Sequence, residues 1–203
     1  MELRCSRTED LPRLRELWQL AFGDEEDYMD GFFHGYWQPE RVLVLAEEGR
    51  VQAMAAWFDM PVVTRSGVRY PTAYLYAVAT HPDCRGRGLA HKLLAFAGQW
   101  LAQRGFACLT TVPARPDLHP FFASNGFLEG YTLARADLVP DIGACAGLAE
   151  VGPEQYNALR RAFLSGRAMW TTAGRLWPTS RGPAGCPEAV CTGWTVRAVP
   201  VWR

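Results

Sequence analysis

Apolar positions in this chain follow two periods, and the switches between them mark its elements. Leu11, Leu14, Leu17, Trp18 and Phe22 recur at helical spacing behind the polar start Thr8-Glu9-Asp10, with Pro12 in the first turn and Gly23 at the end. A second helix is predicted from Asp24, with acidic residues at 25–27 where the helix dipole favours them and Tyr28, Phe32, Phe33 and Tyr36 turned inward. Leu3-Arg4-Cys5 is a short candidate strand. Val42–Ala46 and Val51–Phe58 are β-rich runs joined by a hairpin turn at Glu48-Gly49-Arg50, and a further turn at Arg65-Ser66-Gly67 leads into a strand that ends at Thr80.

After that strand the period is helical again. Leu89, Leu93, Phe96, Ala97, Trp100 and Leu101 make one face, and Gly105 stops it. The run from Ala107 to Val112 is the next strand, and the strand–helix–strand order makes it a parallel neighbour of the first. A short helix from Asp117 to Asn125 ends at Gly126, and Phe127 begins another strand. Pro153 to Leu164 can form one helix with Tyr156, Leu159 and Phe163 on a face. Beyond Gly166, Trp170, Trp177, Trp194 and Trp202 stand among prolines, glycines and arginines with no helical or strand period. Tryptophans at that density are expected to pack on the domain or on a partner, and a homo-oligomer stays open.

Composition narrows the class. With 203 residues and 49% hydrophobic content, the chain can build one well-packed domain with an appendage. Basic and acidic residues balance at 21 each, so no overall field draws it to nucleic acid or an anionic membrane. Nothing approaches the roughly 20 apolar residues that cross a bilayer, and Met1-Glu2-Leu3-Arg4-Cys5 lacks the apolar core of a signal peptide, so a cytoplasmic protein is expected. The six cysteines form no Cys-x-x-Cys pair and meet no histidine pair; neither a metal site nor a disulfide framework is expected, and Cys108 is expected in the core.

The chemistry concentrates between Thr80 and Leu94. A strand that ends in a turn and feeds a helix leaves several N–H groups pointing one way without a partner inside the helix. With the helix dipole, they suit a phosphate. Gly86 and Gly88 keep side chains out of the way, and Arg85 and Arg87 add fork-shaped donors. The spacing Arg-x-x-Gly-x-Ala over Arg85, Gly88 and Ala90 is neither the Lys-Ser/Thr phosphate loop nor the Gly-x-Gly-x-x-Gly of dinucleotide folds.

This segment resembles the acetyl-CoA signature of the GCN5-related N-acetyltransferases (GNAT). Phe121-Phe122-Ala123-Ser124-Asn125-Gly126-Phe127 resembles that family's second signature, in the right order. The resemblance implies an α/β (α+β) fold with a mainly antiparallel sheet flanked by helices and two splayed parallel strands at the acetyl-CoA site. It implies that Arg85, Gly86, Arg87, Gly88, Leu89 and Ala90 hold the pyrophosphate, and that the backbone of Val78, Ala79 and Thr80 pairs with the pantetheine arm. The wording Tyr-Leu-Tyr-Ala-Val-Ala-Thr before the loop, and the opening Glu-Asp-Leu-Pro with Ala-Phe-Gly-Asp further on, look like the N-terminal half of Eis-type members, over roughly residues 1–138. That part is expected to be the acetyltransferase domain, with 139–203 an extension made of a short helix and an irregular tail.

One departure concerns the chemistry. Many members carry a proton-donating tyrosine four residues before the glycine of the second signature, and here that position is Phe122. His119, one helical turn upstream, is a candidate replacement, beside the reading of a surface histidine with no role. Tyr74, Tyr76 and Val78 share a strand face by period-two geometry, so the tyrosines are candidates for the acceptor pocket, with core packing an equal alternative. The reading is therefore an acetyl-CoA-dependent N-acetyltransferase acting on a primary amine of a small molecule or peptide, with no metal. The alternatives are a coenzyme A-binding module without catalysis, and an interaction protein working through its tail.

Overall fold

A computed structural model of the chain describes residues 1–131, 152–170 and 194–198. Strand β1 (Glu2–Cys5) leads through a 3-10 turn at Thr8–Asp10 into α1 (Leu11–Phe22), which Gly23 ends in the left-handed conformation at φ 69°. Helix α2 (Glu26–Gly35) follows. Strands β2 (Val42–Glu47) and β3 (Arg50–Asp59) form the expected hairpin, whose two-residue turn holds Glu48 at φ 50° and Gly49 at φ 78°. The short strands β4 (Val62–Val63) and β5 (Arg69–Tyr70) precede β6 (Thr72–Thr80).

Helix α3 (Leu89–Ala102) then leads to β7 (Cys108–Thr111), shorter than the predicted 107–112. A 3-10 turn at Pro116–Leu118 and α4 (His119–Ser124) occupy the place of the single short helix, and β8 (Leu128–Tyr131) follows. Later come α5 (Pro153–Phe163), β9 (Met169–Trp170) and β10 (Trp194–Ala198).

The main sheet runs β1-β2-β3-β6-β7-β10-β8, antiparallel except for the parallel pair β6–β7. A small second sheet is ordered β5-β4-β9. Strand β10 corrects the expectation of a tail without strand structure: Thr195 pairs with Thr111 on one side and Glu129 on the other. Its five residues, Trp194-Thr195-Val196-Arg197-Ala198, do alternate apolar and polar, a signal too short to stand out among the neighbouring prolines and glycines, and two neighbouring edges supply the hydrogen bonds that make it a strand. Trp177, Trp202, Cys145, Cys186 and Cys191 lie outside the described residues.

Both faces of the sheet are covered, which is why β2 reads as an unbroken apolar run. Helix α3 packs Leu89, Leu93, Ala97 and Leu101 over Leu43, Leu45, Ala53, Ala55 and Leu75. On the opposite face α1 and α2 pack Leu14, Leu17, Trp18 and Phe32 over Val42, Val44, Met54 and Ala56. Beneath α1, Arg4 of β1 forms a double hydrogen bond to Asp10 at 2.6 and 3.1 Å, and Asp10 also accepts from the Arg7 amide at 2.7 Å. Cys108 is half-buried rather than in the core, because it sits at the start of β7 where the ladder begins. Among the described residues no helix is long and apolar enough to cross a membrane.

Candidate functional site

The site begins with a fork in the sheet. Strands β6 and β7 pair only over Thr72–Cys108, Ala73–Leu109 and Tyr74–Thr110 among the described residues. Beyond them the strands part, and the Thr111 hydroxyl donates to the Leu75 carbonyl at 3.1 Å across the start of the gap. From there to Thr80, β6 keeps β3 on one side and presents its other edge to the opening. An open strand edge is a row of backbone donors and acceptors that an extended ligand can pair with.

A bulge lies within this open half. Met54 pairs with Ala79 and Ala56 with Tyr76, so Ala55 alone faces both Ala77 and Val78. Ala77 takes φ 48°, a conformation few non-glycine residues hold. The extra residue also reverses the side-chain alternation beyond it. Tyr76 and Ala77 both join the α1–α2 face, while Val78 joins the α3 face. The sequence expectation that Tyr74, Tyr76 and Val78 share one face is therefore corrected: Tyr74 and Tyr76 do, with ring centroids 6.1 Å apart, and Val78 does not.

The open edge runs directly into the glycine-rich loop. After a 3-10 turn at Pro82–Cys84, Gly86 and Gly88 both adopt left-handed φ, 76° and 72°, and Gly88 caps α3. The first bond that closes the helix is Lys92 N–H to Gly88 O at 3.1 Å. Among the described residues, the amides of Gly86, Arg87, Gly88, Leu89, Ala90 and His91 have no backbone acceptor. A Cβ on either glycine would meet no heavy atom within 4 Å, so it is the positive φ rather than crowding that calls for glycine here. Six clustered donors at a helix start, with the dipole behind them, form an anion cradle.

The two arginines differ. Arg85 is exposed, with Nε 3.4 Å from the Thr80 carbonyl. Arg87 is held by both Glu47 oxygens at 3.0 and 3.1 Å, and that carboxylate raises its guanidinium further above the ordinary value. Glu47 escaped the sequence reading because it comes 40 residues earlier with no motif around it.

On the α1–α2 face, the Tyr76 hydroxyl lies 2.6 Å from that of Tyr28 on α2. Burial, and then this hydrogen bond, push the Tyr76 phenol far above its ordinary value. Phe122 is buried against Phe121 and Phe127 and offers no proton. His119 hydrogen-bonds Glu129 through Nδ1 at 3.0 Å. Among the described residues no group of three or more His, Cys, Asp or Glu is placed to hold a metal ion.

The family model of the acetyltransferase (GNAT) domain matches residues 2–127. The chain belongs to this family. Its fold is similar to that of Eis1 from Mycobacterium abscessus, at 16% identity and TM-score 0.51, over 63% of this chain and 31% of that one. A chain from Agrobacterium tumefaciens assigned as an acetyltransferase aligns at 25% identity and TM-score 0.55, over 68% of this chain and 100% of that one. Rv2747 from Mycobacterium tuberculosis, solved in complex with CoA, aligns at 14% identity and TM-score 0.55, over 98% of this chain and all of that one. The GNAT chain described here spans about a third of the length of several solved relatives, from 31 to 32%. A comparison with curated protein sequences finds no match.

Proposed function

We propose that the chain binds acetyl-CoA and transfers its acetyl group to a primary amine by direct attack. The observation that carries this reading is the row of six amides from Gly86 to His91, without backbone acceptors and continuous with the open edge of β6. Bound acetyl-CoA would supply the activated acyl group. Arg85 to Ala90 would hold its pyrophosphate, and the backbone of Val78, Ala79 and Thr80 would pair with the pantetheine arm. The solved complex of Rv2747 with CoA supports this cofactor. The acetyltransferase unit would run over 1–138, with 139–203 an extension that returns β10 to its sheet.

The bulge gives the chemistry its place. With the backbone turned at Ala77, an N–H of the open edge near Val78 to Thr80 would stabilise the oxyanion that forms as the amine attacks. Tyr74 and Tyr76 would border the amine. Phe122 leaves His119 or water to protonate the departing thiolate. Thiol release measured with a primary-amine panel tests the reading: saturable turnover with any amine is expected. His119→Gln separates the two proton sources, since a tenfold fall in kcat assigns the role to His119 and an unchanged kcat assigns it to water.

The buried phenyl at position 122 favours one competing reading, a coenzyme A-binding module without catalysis. Saturable coenzyme A binding by calorimetry with no turnover on any amine would establish that alternative.

A further inference from the structure

We propose that Glu47 is a positioning residue for the anion cradle: by gripping the Arg87 guanidinium it holds the glycine-flanked loop in shape, so the Arg87 side chain works as a strut rather than as a phosphate ligand. The inference rests on the acetyl-transfer reading above and names a residue outside the loop on which its cofactor site depends. The Arg87 amide stays among the six donors.

The loop needs an outside tether. Arg87 stands between Gly86 and Gly88, at φ 76° and 72°, and glycines turn to either hand at little cost. The Arg85 amide donates to the Pro82 carbonyl at 3.2 Å, and the Gly88 carbonyl accepts from Lys92 at 3.1 Å. Between those two points no backbone bond is made among the described residues. A side chain supplies the missing hold. Arg87 Nη1 lies 3.0 Å from Glu47 Oε2 and Nη2 lies 3.1 Å from Oε1, two parallel contacts that fix a direction as well as a distance.

Glu47 is a firm anchor. It ends β2 opposite Arg50 of β3, and its side chain is 24% exposed, so the ladder and its surroundings fix where the carboxylate stands. The same hairpin holds the approach to the loop. The Gln52 carbonyl accepts from the His81 amide at 2.8 Å, and the Gln52 side chain accepts from Cys84 Sγ at 3.4 Å. Arg13 of α1 ties this strand down in turn, donating to the Val51 carbonyl at 2.9 Å and to Gln52 Oε1 at 3.2 Å. The loop is thus braced against one hairpin both before Gly86 and after it.

Charge points the same way. A carboxylate beside an anion site repels the ligand unless a cation neutralises it, and Arg87 turns both terminal nitrogens to Glu47. The pair presents little net charge to a phosphate. If Arg87 were instead a phosphate ligand, Glu47 would compete for it, and removing Glu47 would tighten binding. The two roles therefore predict opposite signs.

The test titrates coenzyme A into the full chain by calorimetry. Glu47→Ala and Arg87→Ala should each weaken binding about threefold to fivefold, the range of an exposed ion pair. The double variant should lose no more than either single one, because both remove the same contact. Glu47→Gln, which keeps the shape and one acceptor for Arg87, should recover part of the loss. With any amine that turns over, Glu47→Ala should raise the acetyl-CoA KM by the same factor and leave kcat unmoved. Binding by Glu47→Ala as tight as that of the unaltered chain overturns the inference, as do losses that multiply in the double variant. Tighter binding by Glu47→Gln overturns it as well, and that variant decides the case if Glu47→Ala fails to fold. No heat from the unaltered chain defeats the acetyl-transfer reading, whereas intact binding that Glu47→Ala leaves unweakened defeats only this inference.

Discussion

Gly88 joins a conformation to the proposed anion cradle. Its φ of 72° costs a non-glycine residue about 1 kcal/mol, and the open space around it means an added methyl would meet no protein atom. Gly88→Ala should therefore lower stability by about 1 kcal/mol in denaturant unfolding. It should weaken coenzyme A binding by more than tenfold in calorimetry, because relief of the strained φ would turn the amides at the start of α3 away from one another. A second prediction concerns Asp10. Burial alone would raise its carboxyl, but the hydrogen bonds from Arg4 and the Arg7 amide outweigh burial and hold it below the ordinary 3.8.

A depressed folded value means the stabilisation is complete above the unfolded value and disappears as pH falls through the folded one. Asp10→Asn should thus cost roughly 2 kcal/mol at neutral pH, leaving Arg4 half-satisfied, and should flatten the loss of stability measured below about pH 4. The positive-φ glycines and the amides without backbone acceptors were legible in the sequence because a strand–turn–helix loop is local. Tyr28 and Glu47 were not, since each acts on a residue 48 or 40 positions away.

Among the elements, the fork between β6 and β7 depends on a side chain as much as on the ladder. Thr111 is buried, and its hydroxyl donates to the Leu75 carbonyl, one residue past the last β6–β7 pair among the described residues. Thr111→Val keeps the shape and removes that donor, so it should cost about 1–3 kcal/mol in thermal or denaturant unfolding. The acetyl-CoA KM should rise with little change in kcat, and Thr111→Ser should restore it. Helix α3 and the β2–β3 hairpin were legible, because a helical apolar period and a Glu-Gly turn are written in neighbouring residues. The bulge was not: Ala77 and Val78 look like ordinary alternation, and only pairing with β3 shows that Ala55 faces them both.

For the molecule as a whole, β10 joins the late part of the chain to the early domain. It lies between β7 and β8, so a fragment ending at residue 138 would lose the strand that connects β8 to the rest of the sheet. That fragment should melt at a lower temperature than the full chain and self-associate through the uncovered edges of β7 and β8. A fragment as stable and as monomeric as the full chain would contradict this account.

Local order was settled by the residues in sequence: which runs are helices, where glycine must take positive φ, and which turn leaves its amides without partners. These follow from backbone sterics and short-range periodicity. Where β6 leaves β7, which face Tyr76 joins, which carboxylate holds Arg87 and where Trp194–Ala198 inserts were settled by the assembled sheet. Each depends on pairing between residues far apart in the chain, and short-range periodicity carries no information about such pairing.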